Sequence, residues 1–421
     1  MNDKEIFVSI QFGVETHLVG TLWCHQKNNR QSASFMYDHN WLKHPERFAI
    51  DPALQLTPGT FHTSESQLLF GAIGDSAPDR WGRVLMRRSE NARAKANGET
   101  PRSLQEADYL LGVHDEARLG ALRFSEHPNG PFLADDDKKS IPPLIRLPQL
   151  LGATERYLNE SESYEDLRLL LLPGSSLGGA RPKASIRDHD GSLLLAKFPR
   201  KDDGHQVVLW EAVALTLAKK AGIDTVSWRL EKIMDSPVLL IHRFDRSHTN
   251  RIPFLSAMSM LGSQDYERHN YLEITYALLQ YGSKSSQDAE ELWRRIVFSI
   301  LISNTDDHLR NHGFLYTGTN GWRLSPAYDI NPVPSMASQR LFATSISPEI
   351  NESTISAALS VIDSFKIKRQ RALEILHEVV FATRNWRQAA QLFGLEKNEI
   401  EQMAPAFDHG EMAYAQVICK T

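Results

Sequence analysis

Two hydrophobic spacings divide this chain. Near the start, Ile6–Phe12 (IFVSIQF) and Thr16–His25 (THLVGTLWCH) alternate apolar with polar positions around a polar turn at Gly13–Thr16. That period of two predicts a β-meander. The stretch 74–90 (GDSAPDRWGRVLMRRSE) turns helix-like after Pro78, with Asp75 and Ser76 as candidate N-caps. Residues 107–124 predict a helix end, a glycine-bearing loop and a strand. Ser125–Pro143 mixes turn formers, prolines and a charge run, and is the expected linker.

From Leu144 the pattern restarts. A helical segment leads to residues 173–186 (PGSSLGGARPKASI), a turn at Asp188–Gly191 and the apolar strand 193–198 (LLLAKF). A helix is expected over Val208–Ala221, closed by Gly222 at its C′ position. Strands are expected over Val226–Ile233 and Val238–Arg243. From Ser256 helical spacing dominates, broken by the hairpin signal of 314–324 (FLYTGTNGWRL) with its Asn320-Gly321 turn. Strands first and helices later predict an α+β fold. The expected divisions are 1–143, 144–255 and 256–421.

Composition narrows the class. Lys and Arg number 47 against 52 Asp and Glu in 421 residues, a net charge of −5. Such a chain lacks the global basic footprint of a nucleic-acid wrapper. Cys24 and Cys419 form no CxxC pattern and no disulfide framework, so a reducing compartment is expected. The apolar runs are too short to span a bilayer, and the charged, strand-like start lacks a secretory core. No 20–50-residue period recurs, which argues against a solenoid. A cytoplasmic protein with no membrane partner is expected.

Three pieces carry candidate chemistry. The first is Gly174-Ser175-Ser176-Leu177-Gly178-Gly179-Ala180, followed by a strand containing Lys183. Glycines allow backbone amides to approach an anion, and a neighbouring ammonium adds charge. It is not a Walker A loop, since no G-K-[ST] closes it. The second is Lys197 on the apolar strand, with Glu211 fourteen residues later on the next helix. A lysine in such a strand is costly unless it snorkels to water or its charge is used. A strand lysine facing a helix glutamate is how kinases hold the α- and β-phosphates. The third is Asn304–His312 (NTDDHLRNH), where Asp306 precedes Asn311 by five residues, the spacing of a kinase catalytic loop. Asp329, in 324–330 (LSPAYDI), offers a second metal-binding carboxylate. Magnesium needs few protein ligands beside ATP oxygens, so Asn311 and Asp329 suffice. A competing reading sets His308 and His312 on one helix face, with Asp306 and Asp329, as a transition-metal phosphohydrolase site. It leaves Lys197 and Glu211 unexplained.

Together these segments resemble the HipA family of bacterial serine/threonine kinase toxins. The resemblance runs through GDSAPDRWG, LLGVHDEARLGALRF, SSLGGARPKAS, LAKF, IHRFDR, NTDDHLRNHGF and PAYDI. It implies a two-lobed protein-kinase-like fold: a β-rich N-terminal subdomain, an N-lobe and a mainly helical C-lobe. It implies Mg-ATP as cofactor, with Lys197 as phosphate-binding lysine, Asp306 as catalytic base, and Asn311 and Asp329 as Mg2+ ligands. Gly178, Gly179, Ala180, Lys183 and Glu211 would complete the nucleotide site, with Lys183 and Lys197 both open as the main phosphate ligand. Arg243 and Phe244 would meet adenine with their backbone, and Asp245 would face the ribose. Ser176, with Ser175 beside it, would be the autophosphorylation site. The family pattern further implies a protein substrate such as an aminoacyl-tRNA synthetase, a helix-turn-helix antitoxin, and DNA contact only through that antitoxin. Arg181 and Pro182 stand where some relatives carry polar and acidic residues, and Pro182 removes an amide donor. The alternatives are a low-activity binding module that sequesters an antitoxin or operator complex, and a kinase for a small molecule.

Overall fold

The computed structural model describes the chain except for residues 1–2, 28–29, 65–66, 129, 133–140, 172–178, 180, 201, 248–249, 266, 319–320, 335–340 and 421. The chain divides into two compact units, Met1–Arg200 with Glu231–Gln264, and Lys201–Leu230 with Asp265–Thr421.

The first unit opens on the expected meander. β1 (Lys4–Phe12), β2 (Glu15–Lys27), β3 (Arg30–Tyr37), β4 (Thr60–His62) and β5 (Leu122–Ser125) form a sheet in the order β4-β3-β2-β1-β5. Gly13 takes φ 58°, the left-handed value that closes the short β1–β2 turn. Short helices α1 (His39–Lys43) and α2 (Gly71–Asp75) precede the long α3 (Arg80–Asn97), and α4 (Glu106–Gly112) leads into β5. The α3 cap differs from expectation. Asp79, not Asp75 or Ser76, accepts the Gly82 amide at 2.7 Å, because α2 already occupies the chain up to Asp75 and ends at Ser76.

A second sheet follows in the same unit. β6 (Lys183–Arg187), β7 (Leu193–Lys197), β8 (Trp228–Ile233) and β9 (Ser236–His242) run in the order β6-β7-β9-β8. Alternation puts Ala184, Ile186, Leu194, Ala196, Val238 and Leu240 into one core, with Trp81 and Leu85 of α3. Leucines of α5 (Leu147–Leu158) and α6 (Tyr164–Leu171) fill the rest of that core. The expected break at 143/144 is therefore not a division between compact units. α3 and the α5–α6 pair share one core, and Pro143 bridges to Arg187. β10 (Arg246–Ser247), β11 (Asn250–Arg251), β12 (Phe254–Ser256) and α8 (Ala257–Met260) complete this unit, which ends at Gln264 rather than 255.

The second unit is mainly helical. α7 (Val207–Lys220) is one residue offset from its predicted start, and Gly222 takes φ 76° just beyond it. α9 (Tyr271–Tyr281), α10 (Ser285–Leu301), α11 (Ile355–Ser360), α12 (Arg369–Thr383), α13 (Trp386–Leu392), α14 (Lys397–Phe407) and α15 (Gly410–Ile418) follow, and α12 and α13 pack against α7. α10 is central: Trp293, Ile296, Val297, Phe298, Ile300 and Leu301 are all buried. Its Arg294 donates to the Ala221 carbonyl at 2.7 Å, fastening the end of α7. Trp386 stacks on Phe407 at 4.5 Å between centroids. Short strands β13 (His269–Asn270) and β16 (Thr344–Ser345) pair in parallel, and β14 (Gly313–Tyr316) and β15 (Trp322–Leu324) form the predicted hairpin. Asn320 of its turn lies outside the described residues. Among the described residues no helix is long and apolar enough to cross a membrane.

Candidate active site

In the second unit, α10 delivers the chain into a fixed loop. Ser303 takes φ 53° just past the helix, turning the backbone so that residues 304–312 fold back into a single 3-10 turn at Leu309–Asn311. Asn304 holds this loop against the segment carrying Asp329. Its Oδ1 accepts the Asn331 amide at 3.2 Å, and the Ser303 carbonyl accepts the Val333 amide at 3.2 Å. Tyr328 Oη donates to the Arg310 carbonyl at 2.8 Å, a second strap between the same segments. Asp306 and Asp329, 23 positions apart, are thereby brought together.

Asp329 itself sits at φ 56°, a strained value for a residue other than glycine that aspartate tolerates better than most. Asn311 Nδ2 donates to the Asp306 carbonyl at 3.2 Å, which spends the amide's donor end on the loop and fixes the side chain's orientation. Asp306 is open to solvent on one side. Even so, the protein around it strips part of its hydration and lifts its carboxyl above the usual range, Asp329 and Asp307 adding to the rise and His308 opposing it.

Asp307 is the loop's internal anchor. It is buried, accepts Tyr271 Oη at 2.5 Å and lies 3.1 Å from His312 Nε2. Burial alone would raise its carboxyl, but His312 and the Tyr271 hydroxyl outweigh it and hold the group below the usual range. The same burial, with the Asp307 charge, drives the Tyr271 phenol well above its ordinary value, so it stays a donor. His308 and His312 flank the 3-10 turn and do not share an α-helical face. Among the described residues no group of three or more His, Cys, Asp and Glu is placed to hold a metal ion. The transition-metal phosphohydrolase reading is thus left without its ligand face.

In the first unit, the β6–β7 register sets Lys183 directly across from Lys197. Lys183 is buried and its Nζ lies 3.1 Å from Asp79 Oδ2, while Lys197, at the end of β7, is half-buried. Gly179 takes φ 87°. Glu211 is buried on α7 and belongs to the other unit from Lys197. Gly178, Ala180, Ser175 and Ser176 lie outside the described residues.

The 243–245 segment departs from its expected role. Asp245 is 1% exposed, and Arg243 holds it through Nε and Nη2 at 2.6 Å each. Arg246 Nη1 donates to it at 2.5 Å and the Gly120 amide at 2.7 Å. Arg243 continues to the Ala117 and Arg118 carbonyls. With both oxygens drawn into this internal cluster, Asp245 knits the 117–120 loop to β9 and does not face outward to a ribose. Phe244 is half-buried, 6.0 Å from Phe254 between ring centroids. Sequence reasoning missed Asp79, Tyr271 and the Asn304–Asn331 clasp. Only Asp79 left a signal, as a cap three residues before Gly82.

A two-unit α+β chain with this loop geometry belongs to a recognisable class, and the comparisons specify it. Residues 175–387 match the HipA-like C-terminal domain, half of the chain, and the protein belongs to that family. A putative kinase of Haemophilus influenzae is 25% identical over 199 residues, covering 40% of this chain and 57% of that protein. The putative kinase Y4dM of Sinorhizobium fredii is 30% identical over 136 residues, 28% of this chain and 32% of that protein. The chain thus spans about half or less of the curated relatives it matches. HipA of Shewanella oneidensis, solved with HipB and operator DNA, aligns over 98% of this chain and 96% of its own at TM-score 0.68 and 15% identity, a match of fold.

Proposed function

We propose that the protein is a Mg-ATP-dependent serine/threonine protein kinase acting as the toxin of a bacterial toxin–antitoxin module. The observation that carries this reading is the clasped pair of segments that brings Asp306 close to Asp329, with Asn311 bonded back to the Asp306 carbonyl. In it, Asp306 would accept the proton of the substrate hydroxyl, whose oxygen would bond to the γ-phosphorus of ATP as the β,γ-bridging P–O bond breaks and ADP leaves. Its lifted carboxyl makes it a better proton acceptor than a fully solvated aspartate. Asn311 and Asp329 carry hard oxygen donors of the kind Mg2+ takes, and in this reading they would hold it. When bound, Mg2+ supplies charge neutralisation at the phosphate oxygens. Lys197 is the phosphate-binding lysine of this reading, with Lys183, Gly178, Gly179, Ala180 and Glu211 around the nucleotide and Arg243 and Phe244 along its base.

The substrate of this reading is a translation component such as an aminoacyl-tRNA synthetase. Ser176, with Ser175, takes phosphate in cis, and its charge then repels nucleotide from the glycine-rich loop. A helix-turn-helix antitoxin is the expected partner, with DNA reached through it, as the Shewanella neighbour was solved with HipB and operator DNA. The cytoplasm is the expected compartment. Phosphoproteomics after brief induction of wild type and Asp306→Asn tests the whole reading. New phosphosites on host proteins and on Ser175 or Ser176, present only with wild type, are the expected result. Identical profiles overturn it.

A further inference from the structure

Lys183 and Lys197 face each other across an antiparallel pair. Two ammoniums placed so repel, and the burial of one adds a desolvation cost. α3 resolves this at its first turn. Asp79 Oδ2 lies 3.1 Å from Lys183 Nζ, with the two side chains only 6% and 5% exposed. Two residues on, Trp81 Nε1 donates to the Lys183 carbonyl at 3.0 Å, so one helical turn grips both the backbone and the side chain of this residue. Asp79 is itself fixed, because its other oxygen accepts the Gly82 amide as the helix cap. Gly179 also lies close to the ammonium: a Cβ there would come within 3.2 Å of Nζ. The ammonium therefore has both the Asp79 carboxylate and bare glycine backbone as close neighbours.

We propose that Asp79 is a positioning residue for nucleotide binding, acting through Lys183. It fixes the lysine beside Gly179 and neutralises one of the two facing charges, which sets the place and the sign of the field a phosphate meets there. The proposal rests on the kinase reading above. Without Asp79, Lys183 would be a buried ammonium with no counter-charge there, driven to swing away from its place beside Gly179.

The cap and the ion pair can be separated, since asparagine caps a helix as well as aspartate does but carries no charge. Asp79→Asn therefore keeps the cap, and the ATP-free protein is expected to stay folded with a lowered melting temperature, because the buried ammonium loses its counter-charge. Its Kd for Mg-ATP by calorimetry is expected to rise on the order of tenfold, the scale of a lost charge-assisted contact. The double variant Asp79→Asn/Lys183→Met should bind ATP no worse than Lys183→Met alone, because the two residues act as one unit. Unchanged or tighter binding by Asp79→Asn overturns the proposal, as does additive loss in the double variant. A melting-temperature loss with unchanged Kd shows a structural pair only and also overturns it. Wild-type protein that binds no Mg-ATP overturns the nucleotide reading itself, and the positioning role falls with it.

Discussion

Tyr271 Oη donates to Asp307 Oδ2 at 2.5 Å, a hydrogen bond between residues 36 positions apart that ties the start of α9 to the loop carrying Asp306. Asp307 is charged and buried, so this donor does more than a neutral one would. Tyr271→Phe removes a single oxygen and leaves the ring against His312, 5.7 Å away between centroids. The expected cost is about 1.5–3 kcal/mol of stability, the range for a hydrogen bond to a charged group. Chemical denaturation measures it, and a midpoint equal to wild type would show that the bond contributes nothing. Phosphoryl transfer should fall with it, in kcat more than in KM for ATP, because the loop holding Asp306 loosens while the first unit is untouched.

Burial lifts the Asp306 carboxyl above its usual range, with His308 opposing the rise and the neighbouring Asp329 and Asp307 adding to it. A carboxyl raised in the folded state destabilises the fold once ionised. The loss sets in as pH climbs above the unfolded value near ~4 and is complete above the folded value. Asp306→Asn removes that charge. At neutral pH it should abolish phosphoryl transfer while leaving the melting temperature equal to or above wild type. Asp329→Asn should abolish transfer as well. Residual wild-type activity in either variant, read with labelled ATP, would remove that residue from the proposed mechanism.

Much of this was legible in the sequence, for reasons that differ by residue. The meander, the helix ending at Gly222 and the hairpin after the 304–312 loop follow from short-range periodicity and turn chemistry. The Asp306–Asn311 spacing survives as a local loop closed by one hydrogen bond. The surroundings of Asp245 are not legible in its motif, because a residue within a motif carries no signal of distant partners. Its partners include Gly120, 125 positions away, and only the fold brings that amide to it. Asp79 was passed over because Asp75 and Ser76 cap equally well in principle, and the presence of α2 decides between them. The compact units have bounds other than 143/144 for a similar reason: a polar linker marks where the chain turns, whereas a compact unit is marked by which apolar faces share a core.

Lys197 and Lys183 differ in setting although they are register partners. Lys183 has a buried counter-ion in Asp79, and Lys197 is half-buried at the strand end. Mg-ATP should raise the melting temperature of the wild type, since it binds the folded state. Lys197→Ala should reduce that rise more than Lys183→Ala does. A thermal-shift titration of both variants settles the order, and the reverse order would make Lys183 the main phosphate ligand.

The Asp245 cluster sets a dependence on acid. Burial would raise this carboxyl, yet the flanking Arg243 and Arg246 guanidiniums and the Gly120 amide hold it well below the usual carboxylate range. Asp115 is likewise held low: burial opposes, but Arg251 and Arg123 prevail. A carboxyl depressed by folding contributes stability above its unfolded value, and the contribution drains away as pH falls toward the folded value. Wild type should therefore lose stability progressively below pH ~4, where unfolded aspartates take up protons. Asp245→Asn keeps the shape but leaves two buried guanidiniums short of a counter-charge. Breaking a buried pair in this way costs about 3–5 kcal/mol. Denaturation at pH 7 should show that loss, and the variant's stability should change less with pH between about 4 and 2 than that of wild type, because one of the linked protons is gone. A variant as stable as wild type at pH 7 would show that the arginines relax to the neighbouring carbonyls of Ala117, Arg118 and Gly120, which they already contact.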